Sequence, residues 1–157
     1  MGSSGCDQKN LRKSIIMAIL NVFNVADTQS IINRINKLTP ESKALWGKMS
    51  VDQMLAHLNV TYELVYEEDK FPKPNFFMKI IMRLFVKNIV VSETPYQANS
   101  QTAPYFVMEG SKDFEAEKER LIQHILKTQQ LGADYFNNKG SHSFGELSTR
   151  EWNNLFY

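Results

Sequence analysis

The sequence predicts an all-α protein with a single domain, and three observations carry the prediction. Apolar residues recur with helical spacing in several segments. Helix-start signals stand in front of those segments. Strand signals are scarce, and no internal repeat occurs. A chain of 157 residues suits one domain, long enough to bury roughly 70% of its unfolded surface without staples. A hydrophobic share of 43% with 22% charged residues separates it from disordered chains. Eighteen basic and 17 acidic side chains leave a net charge of +1, so no overall field favours a nucleic-acid partner.

Residues 1–23 read as a leader, partly disordered or forming an extra helix, and 24–157 as the domain. A lone Cys6 cannot form an internal disulfide. The run Leu11 to Leu20 joins a basic start to apolar residues, but Asn21 to Val25 is too bulky for a signal-cleavage site. The run is also too short to cross a bilayer as a helix. The expected compartment is cytoplasmic, and a membrane partner is not expected.

Asp27 reads as the N-cap of the first helix, which places Ile31, Ile32, Ile35 and Leu38 on one stripe. Thr39 and Pro40 read as the start of a short second helix ending near Gly47. Ser50-Val-Asp-Gln53 is a capping box, because Ser accepts from the N3 amide while Gln reaches back to the cap. The helix it opens should run to about Glu68, with Val51, Leu55, Leu58, Tyr62 and Val65 inward. Pro72 and Pro74 break it.

From Asn75 to about Val91 a further element is apolar on most sides, with Lys79, Arg83 and Lys87 on one narrow stripe. Two readings stay open: a packed helix with its charges in water, or a basic amphipathic helix that touches a membrane or partner. Residues 92–110 read as a long loop, which in compact domains often lies over a site. Ser111 or Asp113 caps a helix to about Leu131, with Phe114, Leu121, Ile122 and Ile125 inward. A loop follows through Gly145, and Ser148-Thr-Arg-Glu151 is a second capping box. Trp152, Leu155 and Phe156 then begin an apolar face that the sequence carries only to Tyr157. That pattern predicts a last helix cut short, hence marginal stability and association through an exposed Trp152/Phe156 face.

No phosphate-binding glycine loop, paired-cysteine site, Gly-x-Ser-x-Gly elbow or His-Glu-x-x-His helix is present in the sequence. The chemistry-bearing candidates are therefore three histidines. His57 lies at the edge of its helix with Gln53 and Thr61 on the same side, where a neutral imidazole could bind a metal facing a groove or simply pack, partly exposed. His124 reads as a surface residue. His142 lies in the loop before the last helix, where a ligand, a general base or an ordinary polar loop residue all fit. No catalytic residue is assigned.

The segments LWGKMSVDQMLAHL (45–58), DFEAEKERL (113–121) and HSFGELSTREW (142–152) together resemble the DinB/YfiT-like metalloenzyme superfamily, in a branch known only as a domain of unknown function. The resemblance implies a four-helix bundle holding a divalent metal, zinc or nickel, near one end through three histidines. His57 matches the first of them. The other two are expected beyond Tyr157, and His142 matches a histidine often found before the last helix.

Two functions compete. One is a metal-dependent transferase or hydrolase acting on a small-molecule substrate, thiol-dependent in some members of the superfamily, with His57 and His142 as candidate metal residues. The other is a non-catalytic bundle that binds an apolar ligand, a protein or a membrane surface through the exposed apolar residues of 75–91; a homodimer is a further expected partner.

Overall fold

A computed structural model describes residues 19–94, 100 and 102–157. Cys6, most of the leader and Pro95 lie outside them. The chain is mostly helical. Its elements are α1 (Val25–Asn36), α2 (Val51–Tyr66), α3 (Phe76–Ile81), a π turn (Met82–Val86), α4 (Lys87–Val90), a 3₁₀ turn (Pro104–Phe106), α5 (Phe114–Phe136), β1 (Lys139–Ser141), β2 (Gly145–Leu147) and α6 (Thr149–Phe156). Among the described residues no helix is long and apolar enough to cross a membrane.

The N-cap of α1 is Asn24, three residues before the Asp27 that the sequence suggests. The Asn24 side chain accepts from the amides of Ala26 and Asp27 at 2.9 and 3.1 Å. Asp27 turns back instead to accept from the Asn21 amide. The packed region likewise begins before residue 24: Val22 is fully buried, and the Asn153 side chain holds both the Val22 amide and the Leu20 carbonyl. The expected helix from Thr39 to Gly47 is absent. Residues 39–49 form turns, with the Thr39 amide on the Ser42 hydroxyl. A Pro-led start is only permissive, and this segment buries no apolar stripe to stabilise a helix.

Both capping boxes form, Ser50/Gln53 ahead of α2 and Ser148/Glu151 ahead of α6. Helices α2 and α5 pack along each other and run parallel, as successive pairings show. Asp52 accepts from the Lys112 amide, Asn59 reaches Glu117, and Tyr66 reaches Thr128. Parallel neighbours require a long crossover, and residues 67–113 provide it. Helix α1 runs antiparallel to α5: Phe23 stacks near Phe136, and Lys118 donates to the carbonyls of Asn36 and Leu38 at the other end.

Helix α5 continues past its expected end at Leu131, but across a break. Gly132 has φ 75° and ψ 169°, a conformation that is strained for any side chain. The bend brings Phe136 into the core, where it meets Phe23, Trp152 and Phe156 with ring centroids 5.3–5.6 Å apart. The expected loop after it contains an antiparallel hairpin, Lys139 opposite Leu147 and Ser141 opposite Gly145. Three-residue strands are too short to leave an alternating pattern.

Trp152 and Phe156 are 1% and 8% exposed, which overturns the exposed face expected for them. The curved end of α5, the hairpin and Tyr62 cover them. The exposed face belongs to the crossover: Phe76, Phe77, Leu84, Phe85 and Ile89 are 81%, 71%, 64%, 69% and 59% exposed. The basic stripe of the same segment turns toward the body, with Lys87 bonded to Glu151 at 2.8 Å and Arg83 against Gly145. The apolar face is thus the exposed one, and of the three cations only Lys87 is partly covered, while Lys79 and Arg83 are exposed as well.

A Phe136→Ala substitution should lower unfolding stability by about 3–5 kcal/mol, read from urea denaturation, because the side chain is fully enclosed by other rings.

Candidate functional site

The Phe106 carbonyl lies 2.9 Å from His57 Nδ1, and the two rings are in contact at 5.1 Å. A carbonyl oxygen can only accept, so Nδ1 is the donor and, in the neutral ring, Nε2 carries the lone pair. A hydrogen bond of this kind at one ring nitrogen fixes the direction in which the other points. The Pro104-led 3₁₀ turn sets the position of that carbonyl. The N-terminal end of α2 is pinned from the same side, with Gln53 donating to the Gly110 carbonyl.

One helical turn further on, a polar network is buried between α2 and α5. Asn59 is fully buried, and its amide nitrogen donates to the backbone oxygen and carboxylate of Glu117 at 2.9 and 2.8 Å. Those two acceptors fix the amide's orientation, so its oxygen faces His124 Nδ1 at 3.0 Å and makes that nitrogen the donor. Glu63 is 2% exposed; Arg120 clamps it, and Lys70 reaches it at 2.8 Å. Arg120 also binds Glu117 at 2.5 Å. Tyr62 stacks on His124 and on Phe156, 5.5 and 4.9 Å away.

His124 is thus half-buried between helices, not the surface residue its sequence position indicates. The inward stripe of α2 also differs: Asn59 and Glu63 are buried, while Leu58 is 40% exposed. An apolar-periodicity argument assigns polar residues outward, so it misses a polar core. The available signal was Asn59 and Glu63 falling four and eight residues after Leu55, on its own face.

His142 lies elsewhere. No hydrogen bond or ring contact joins it to His57; the two are linked through Phe106 and Tyr105, whose rings are 5.2 Å apart, with Tyr105 6.3 Å from His142. His142 Nδ1 is 2.8 Å from the Ser143 hydroxyl, and Nε2 is buried with no hydrogen-bond partner. Burial lowers the His142 pKa, the Phe71 backbone opposes this, and Lys73 and Lys79 lower it further. Glu68 pulls the other way, so this ring lies between two cations and a carboxylate. Among the described residues no group of three His, Cys, Asp or Glu side chains could hold a metal ion.

The fold and these groups define a mostly helical domain with a tautomer-fixed histidine on α2 and a charged network inside its central helix pair. A family model described as "Protein of unknown function (DUF1569)" matches residues 18–156, and the chain belongs to that family. No curated protein and no solved structure matches the chain.

Burial, aided by Arg120, pushes the His124 imidazole below its ordinary 6.5 against the pull of Glu63 and Glu67. The unfolded chain therefore binds the proton more readily than the folded one. The resulting stability is present above about pH 6.5 and is lost as pH falls through the depressed folded value. Urea midpoints should drop between about pH 7 and pH 5, and the drop should be smaller in His124→Gln. An unchanged pH slope in that variant would assign the effect to other groups.

Proposed function

We propose that this DUF1569 chain is a DinB/YfiT-like bundle that uses His57 to bind a divalent cation, zinc or nickel, in support of a metal-dependent transferase or hydrolase reaction on a small molecule. The observation that carries the reading is the bond between His57 Nδ1 and the Phe106 carbonyl, which in the neutral ring leaves Nε2 unprotonated and fixed in direction. The packing of α1, α2, α5 and α6 on a common core agrees with it. A bound divalent cation would supply Lewis acidity or an activated water. The described residues supply one donor of the right form and not a complete ligand set.

Equilibrium dialysis against zinc or nickel measures the contribution of this ring. His57→Ala should reduce affinity by at least about tenfold, since even changes to a ligand's supporting partner have effects of this size. His142→Ala should leave affinity within about twofold, because that ring is separated from His57 by Phe106 and Tyr105 and has Lys73 and Lys79 near it. Equal affinity of His57→Ala and wild type would overturn the assignment.

A second reading rests on the exposed face of α3, the π turn and α4, and its occupant is a second copy of the chain. Three phenylalanines exposed by 69–81%, at about 200 Å² per aromatic side chain, contribute roughly 450 Å². Leu84, Ile89 and Met78 extend this toward the roughly 800 Å² per partner of a stable interface. One self-complementary patch suits a two-fold dimer. Sedimentation velocity should show a dimer that Phe77→Glu with Phe85→Glu converts to a folded monomer. A monomeric wild type at micromolar concentration would contradict this reading.

A further inference from the structure

The basic side of the crossover faces the hairpin across two adjoining cavities of about 160 and 360 Å³, which share Lys79, Ser141 and His142 as walls. Most cations near them are already engaged. Lys73 pairs with Glu68 at 3.8 Å, and Lys139 donates to the Tyr135 hydroxyl. Lys87, two turns along from Lys79, is bonded to Glu151. Lys79 and Arg83 differ: both line the smaller cavity, and neither side chain has an ion pair or hydrogen bond among the described residues. The third polar group there is His142, whose Nε2 is buried and unpartnered.

We propose that Lys79, Arg83 and His142 form a binding site for a phosphate-type anion, either the free ion or the head group of a small phosphomonoester. In the tautomer in which Ser143 donates to Nδ1, His142 Nε2 carries the proton and serves as a third donor beside the ammonium and guanidinium. A fork-shaped guanidinium, a point-charge ammonium and an imidazole N–H together suit a tetrahedral oxyanion. The smaller cavity, between Arg83 and the hairpin, has the dimensions of such a head group. The larger one, walled by Leu64, Val65 and Trp152, gives an organic portion somewhere to lie. Its size falls at the lower end of small-ligand pockets, roughly 300–1,000 Å³. The site uses none of the groups of the His57 reading, so either can fail alone.

Calorimetric titration of the chain with inorganic phosphate, and separately with glycerol 3-phosphate, tests the assignment. Both should bind, and Lys79→Ala and Arg83→Ala should each weaken binding by about tenfold, the weight of one charge-assisted hydrogen bond. Both residues are exposed, so these variants should keep the wild-type circular dichroism and melting temperature. Tighter binding of the monoester supports an organic ligand; equal binding supports free phosphate. In ¹⁵N spectra, saturating phosphate should shift the His142 Nε2 resonance and leave that of His57 in place. Absence of binding by the wild-type chain, or undiminished binding by Arg83→Ala, would overturn the proposal.

Discussion

The clasp of Asn59, Glu63, Glu117, Arg120 and His124 between α2 and α5 is the constraint on which the rest of the structure depends. Buried ion pairs add little net stability over apolar packing, and here the buried Glu63 carboxylate is shared by two partly exposed cations, Arg120 from α5 and Lys70 just past α2. A shifted or antiparallel pairing of the two helices would take Arg120 away from Glu63 and the Glu117 carboxylate away from Asn59. The network therefore sets alignment more than it adds stability, and the apolar residues on either side, Leu55, Leu121 and Ile125, exclude water from it.

Parallel alignment has consequences at a distance. It obliges the chain to cross from the end of α2 to the start of α5, and that crossover supplies both the 3₁₀ turn that orients His57 and the helix that presents Lys79 and Arg83 to the hairpin. One aromatic relay, His57 to Phe106 to Tyr105 to His142, joins the two ends of this arrangement. The tyrosines of the central pair are held protonated: desolvation raises Tyr62 strongly, and it pushes Tyr66 up to about 12 despite the Thr128 hydrogen bond. They act as hydrogen-bonding and stacking groups, with Tyr62 donating to the Phe156 carbonyl.

How much of this the sequence disclosed depends on whether the cause was local. The two capping boxes, the α2 and α5 starts and the end of regular helix at Leu131 follow from nearest-neighbour chemistry, and each is found within a residue or two. His57 was legible as a candidate from its mixed surroundings, but its partner, the Phe106 carbonyl, is 49 residues away in sequence. The hairpin was too short to show periodicity. The exposed apolar face of the crossover could not be read because Lys87 is drawn to Glu151 and Arg83 lies against the hairpin, groups that periodicity does not see. Asn59 and Glu63 were missed for a related reason: their burial is favourable only because Glu117 and Arg120 arrive from another helix.

A double-mutant cycle at Glu63 and Arg120, using Glu63→Gln and Arg120→Met in urea denaturation, tests the central claim most directly. If the clasp specifies the helix pair, the two changes should be coupled by about 1–3 kcal/mol, the double variant being less destabilised than the sum of the singles. Additive effects, within about 0.5 kcal/mol, would mean that apolar packing alone aligns α2 with α5 and that the network is incidental.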